Sequence, residues 1–127
     1  MKKRQSINGP HPRHENPIPN ASRIGNIVMS SVIGGSNPGT RELPATLEAQ
    51  VANVFAYIKS DVEAAGGTVA DIIKITFWMK DPVKQRAALN DQWVRMFPDP
   101  DSRPARHTQH LPADARAVQA DFIAVLK

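Results

Sequence analysis

The chain has no cysteine among its 127 residues, which excludes disulfides, thiolate zinc sites and cysteine nucleophiles. It also lacks any apolar run near the ~18 residues that a membrane helix requires, so no membrane partner is expected. Lys2, Lys3 and Arg4 lead into polar, proline-rich sequence rather than the apolar stretch of a secretory signal. The expected location is the cytoplasm. Aromatic residues are scarce, at 6%, and the first 20 positions hold none. That scarcity decides how the net charge of +4 is read, because an excess of +3 sits in those same 20 residues. A nucleic-acid groove carries its positive charge in the folded body, interleaved with stacking aromatics. No nucleic-acid partner is expected.

What is present, 41% hydrophobic and 22% charged residues, is the composition of a single globular domain. Pro10, Pro12, Pro17 and Pro19 mark residues 1–20 as an extended basic arm, with a short edge strand around Gln5–Ile7. The folded domain is expected over 21–127. Its first feature is a hairpin, Ala21–Ile24 and Ile27–Ile33 around Gly25-Asn26, because both turn residues tolerate positive φ. A breaker-rich loop, Gly34–Gly39, follows.

Leu47, Val51, Val54, Phe55, Ile58 and Val62 recur with the period of one helical face. Thr46 is the expected cap of that helix and Gly66-Gly67 its end. Glu48, Asn53 and Lys59 mark its opposite face. Asp71–Lys80 alternates as a strand, with Ile73, Ile75, Phe77 and Met79 on one side and Lys74, Thr76, Trp78 and Lys80 on the other. Pro82 opens a second helix with Ala88, Leu89, Trp93, Met96 and Phe97 on one face, and Pro98-Asp99-Pro100 stops it. A short strand around Arg106–Gln109, a turn at Leu111-Pro112-Ala113-Asp114 and a final strand Ala117–Leu126 complete the order ββαβαββ. Two helices cover only one face of such a mixed α+β sheet. The other face stays wet unless subunits pack on it, so an oligomer is expected.

Four motifs then stand out in order: Ile24-Gly25-Asn26-Ile27-Val28-Met29-Ser30-Ser31; Asp71-Ile72-Ile73-Lys74-Ile75-Thr76 after Gly66-Gly67; Leu89-Asn90 with Trp93 and Phe97; and Pro104-Ala105-Arg106. Together, from Pro17 to Val125, they resemble the RidA/YjgF family of reactive-intermediate (imine) deaminases. The resemblance implies a chorismate-mutase-like fold, a homotrimer and a cleft between neighbouring subunits. It implies that Arg106 grips the carboxylate of a small 2-imino acid, a role that suits the planar fork of a guanidinium. Ser31 falls at the pocket serine, Val32 where the family has glycine, and Thr108 where cysteine is frequent. Asn90 is a substrate-binding position by the same motif match. Ile18 stands in place of a pocket tyrosine.

The largest departure is Gln119, at the place of the glutamate that orients and activates the attacking water. Glutamine can hold a water but cannot take its proton. Asp121 matches a second acidic position on the same strand face, and His107 is a further candidate proton carrier, titrating near neutral pH. A surface ion pair of Arg106 with Asp99, Asp101 or Asp114 is the competing reading of that arginine. No metal is expected: His107 and His110, like His11 and His14 beside Glu15, are three apart, and on an extended segment such pairs face opposite ways. No cofactor is needed, since a protonated C=N is already electrophilic. Three functions stay open: hydrolytic deamination of a small carboxylate-bearing enamine or imine; a non-catalytic trimer binding a small carboxylate metabolite as sensor or partner; and ribonuclease activity, for which the sequence offers no paired general acid and base.

Overall fold

The computed structural model describes residues 3–10, 12–112 and 116–127. Lys2 and His11, and Ala113 and Asp114 of the expected turn, lie outside the described residues. Among those described, seven strands and two α-helices follow in chain order: β1 Arg4–Ile7, β2 Ala21–Ile24, β3 Ile27–Ser30, β4 Ile33–Gly34, α1 Leu47–Ala64, β5 Ile72–Met79, α2 Pro82–Met96, β6 Ala105–His110 and β7 Val118–Val125. The sheet runs β1-β2-β3-β7-β5-β6, with β4 also paired to β7. Only β5 and β6 run parallel, so the sheet is mixed, as expected.

Local sequence explains most boundaries. Gly25, at φ +57, makes the β2–β3 hairpin turn that Gly25-Asn26 indicates. The Thr46 side chain accepts from Ala49 N and caps α1, while Gly66, at φ +97, turns the chain beyond its end. Asp81 caps α2 in the same way, with Pro82 in its first turn. The end of α2 is fastened by Arg103, whose Nε donates to the Phe97 carbonyl at 2.8 Å.

The core lies between the helices and one face of the sheet. Val51, Val54, Phe55, Ile58 and Val62 of α1 meet Ile75, Phe77 and Met79 of β5 and Val118, Ala120, Phe122 and Ala124 of β7. A ring stack ties these layers together: Phe55 stacks on Phe77, and Trp93 of α2 meets Phe77 edge-on.

Three expectations need correction. Ile73 does not share the core face with Ile75, because a bulge between Ile72 and Lys74 inserts one extra residue and leaves Ile73 exposed. A single inserted residue breaks the period-two alternation of a regular strand. The first long strand does not run through to Ile33; it breaks at Ser31 and Val32, and β4 pairs with β7 instead. Asn53 is not simply a solvent-facing helix residue: its Nδ2 donates to the carbonyls of Gly35 at 3.1 Å and Ser36 at 3.2 Å. It thereby pins the breaker-rich loop to α1. Gly35 is required there, since a Cβ would run into the α1 backbone at Gln50.

Candidate active site

Arg106 lies on β6 opposite Ile75 of β5, which places its side chain on the helix-covered face at the edge of the sheet. Its guanidinium sits over the Trp93 ring, 5.0 Å from the centroid. This is a cation–π platform that fixes the fork without using its hydrogen-bond donors. Among the described residues no carboxylate pairs with Arg106, and neither Asp99 nor Asp101 reaches it. The alternative partner Asp114 lies outside the described residues. Burial lowers the Arg106 pKa from the ordinary arginine range, and the nearby Arg86 lowers it further. A bound anion would offset both effects.

Thr108 lies two residues along on the same side, opposite Phe77. Arg86, Asn90 and Trp93 fall at i, i+4 and i+7 on α2 and therefore share a helix face. Arg106 and Thr108 thus form one group facing α2, on which the exposed Asn90 shares the helix face of Trp93.

Ser31, Val32 and Gln119 form a second group. Ser31 Oγ donates to the Pro19 carbonyl at 2.7 Å, and Ser31 N donates to the Asn20 carbonyl at 2.9 Å. Ser31 thus ties the arm to the end of β3. Val32 is partly exposed and lines a cleft of about 410 Å³ together with Arg13, Glu15, Arg41, Tyr57 and Arg116. Gln119 of β7 faces Gly34 on one side and Trp78 on the other, and is only 9% exposed. With its amide turned so that both residues are satisfied, its carbonyl oxygen accepts from Nε and Nη1 of Arg116. Ile18 is exposed.

The two groups do not meet within one chain. Arg106 and Gln119 are separated by β5 and offset by three residues along it. By strand spacing and rise that is about 10 Å in each direction, and their side chains leave opposite faces of the sheet.

On the open face, Thr76 has His107 on one side and Asp121 on the other. Burial raises the Asp121 pKa, while Lys74 pulls it back down. A carboxyl whose pKa is higher folded than unfolded favours the fold in its protonated form, and that advantage is lost as pH rises through the folded value. Asp121→Asn is therefore expected to melt higher than the wild type at neutral pH. The gap should close as pH falls towards the ordinary aspartate value of about 3.9. Melting temperatures measured across pH check this; a gap that does not change with pH would contradict it.

Among the described residues no group of three or more His, Asp and Glu side chains could hold a metal ion. His107 and His110 are both exposed on extended β6, and His11 lies outside the described residues. No described helix is long and apolar enough to cross a membrane. Two features escape sequence reasoning, the Trp93 platform and the arginines of the cleft. In sequence Trp93 reads as a core-facing and motif residue of the second helix, not as a platform for Arg106, and Arg13, Arg41 and Arg116 come from three segments with no shared motif.

An α+β sheet with two helices on one face, an arginine-bearing edge strand and a terminal central strand define the class of protein. Residues 10–121 match the family described as Endoribonuclease L-PSP, and the chain belongs to that family, the RidA/YjgF group. It is 34% identical over 116 residues to a RutC family protein of Haemophilus influenzae, covering 87% of this chain and 88% of the relative. It is also 34% identical over 106 residues to the 2-iminobutanoate/2-iminopropanoate deaminase of Escherichia coli, covering 80% of this chain and 81% of that one. The crystal structure of RidA from an Antarctic Psychrobacter superposes with a TM-score of 0.87 at 30% identity, over 96% of this chain and 99% of the other. Imine deamination is thus an activity found within the family.

Proposed function

We propose that the protein is a Rid-type deaminase that hydrolyses a small carboxylate-bearing imine or enamine to the 2-oxo acid and ammonia. It would work as a cytoplasmic homotrimer. The observation that carries this reading is Arg106: a half-buried guanidinium held on Trp93 with its donors unspent by any described acid. Its fork takes the substrate carboxylate. The enamine tautomerises to the iminium, water adds to its carbon, and the carbinolamine expels ammonia to leave the ketone. The gain comes from placement and from stabilising charge next to the reacting carbon.

The trimer is part of the same proposal. Ile24, Ile27, Met29 and Val125 lie together on the open face of the sheet, and Met29 is 53% exposed. A subunit packed there would cover them. It would also bring one chain's Ser31 and Gln119 to another's Arg106, Thr108 and Asn90, which no single chain does. Gln119 favours a second reading, a trimer that binds a carboxylate metabolite without turnover, because an amide takes no proton from water.

The test generates 2-imino acids with an amino-acid oxidase and traps the remainder with semicarbazide, with sedimentation giving the subunit count. Faster loss of imine in the presence of a trimer supports the enzyme. Carboxylate binding without acceleration supports the sensor, and a monomer contradicts the shared cleft.

A further inference from the structure

We propose that the ligand of this site is a dianion, with a second oxyanion group (carboxylate or phosphate) seated in the arginine-lined cleft beside Val32. The inference rests on the proposed function, in which Arg106 of a neighbouring subunit holds the first carboxylate. Three arginines line this cleft from segments far apart in sequence: Arg13 from the arm, Arg41 from the loop before α1, and Arg116 from the approach to β7. Among the described residues the one acid in the lining is Glu15, already held by Arg41 Nε at 3.2 Å. Arg41 Nη2 also donates to the Arg13 carbonyl at 2.9 Å, which fastens the arm over the cleft. Basic side chains outnumber acidic ones among the described residues of the lining, and an excess of positive charge around a cleft attracts an anion.

The neighbouring hydrogen-bond chemistry points the same way. Gly34 lines the cleft and pairs with Gln119. The Gln119 carbonyl is turned to Arg116, which leaves the amide nitrogen as its remaining polar group. Gln119 therefore keeps a donor beside the cleft, and donors suit an acceptor-only group. The volume of about 410 Å³ leaves room for a carboxylate or phosphate with the few carbons that join it to the reacting centre.

The experiment titrates the full-length assembled protein with 2-oxobutyrate, 2-oxoglutarate, 2-oxoadipate and 2-oxo-4-phosphonobutyrate at physiological salt. There long-range attraction between exposed charges is screened. At least one doubly anionic acid is expected to bind about 10-fold tighter than 2-oxobutyrate, as one added charge-assisted contact would give. Preference for the phosphonate identifies phosphate as the second group; preference for a dicarboxylate identifies carboxylate. Arg41→Gln and Arg13→Gln should bring that ratio back towards one. Glu15→Gln, which removes the acid competing for Arg41, should raise it. A wild-type ratio near one, or a ratio indifferent to all three substitutions, overturns the dianion while leaving the Arg106 site intact. If Arg106→Ala binds every acid as well as the wild type, the proposed function itself fails and the inference fails with it.

Discussion

Replacing Arg106 with alanine is expected to lower kcat/KM for imine hydrolysis by about 10²- to 10³-fold. The variant removes a bidentate, charge-assisted contact, worth about 1.5–3 kcal/mol per hydrogen bond to a charged group, and with it the placement of the reacting carbon. Because the guanidinium rests on Trp93 and bonds no described side chain, its loss should leave the fold intact. A circular dichroism melt tests that directly. Arg106→Lys keeps the charge but not the planar fork, so it should recover only a small part of the rate. The semicarbazide trap measures both variants. Activity within a few-fold of the wild type in Arg106→Ala would remove Arg106 from the mechanism.

Much of this architecture is legible in the sequence because single residues carry it. Gly25 makes the hairpin turn at positive φ, Thr46 caps α1 by accepting from Ala49 N, and the Val51-to-Val62 stripe meets the core. Each of these is a local rule, and local rules survive folding. The errors arise where one residue changes the register. The bulge at Ile72–Lys74 turns Ile73 outward, and nothing in an alternating apolar run announces an inserted residue.

The candidate site divides along the same line. Arg106 is conspicuous because its motif is contiguous, whereas its support is not: Trp93 comes from the separate motif on α2, and nothing in either motif joins the two. Arg13, Arg41 and Arg116 meet only through the folded chain, so no spacing rule joins them. Ser31, visible as a motif residue, proves to tie the arm through Pro19. Arg106 and Gln119 leave opposite faces of one chain's sheet, which no contiguous motif announces.

Gln119→Glu should raise the rate, and the reason it should do so only partly lies in its neighbour. A carboxylate at this position can accept the proton that the amide cannot, and a positioned general base is typically worth about 10²- to 10⁴-fold. Arg116, however, already bonds the Gln119 carbonyl. The same guanidinium beside the introduced carboxyl would hold it below the usual glutamate range, making it a weaker base. The expected gain for the single variant is therefore towards the lower end, about 10²-fold in kcat. Combining it with Arg116→Gln should add to that gain by releasing the carboxylate. The pH profiles separate the two. The activity gained by Gln119→Glu should persist below the ordinary glutamate pKa of about 4.3, whereas the double variant should lose it at higher pH. If neither variant gains while Asp121→Asn abolishes the wild-type rate, the proton already travels through Asp121. If neither gains and the wild type is silent with every imine, the protein binds carboxylates without turning them over.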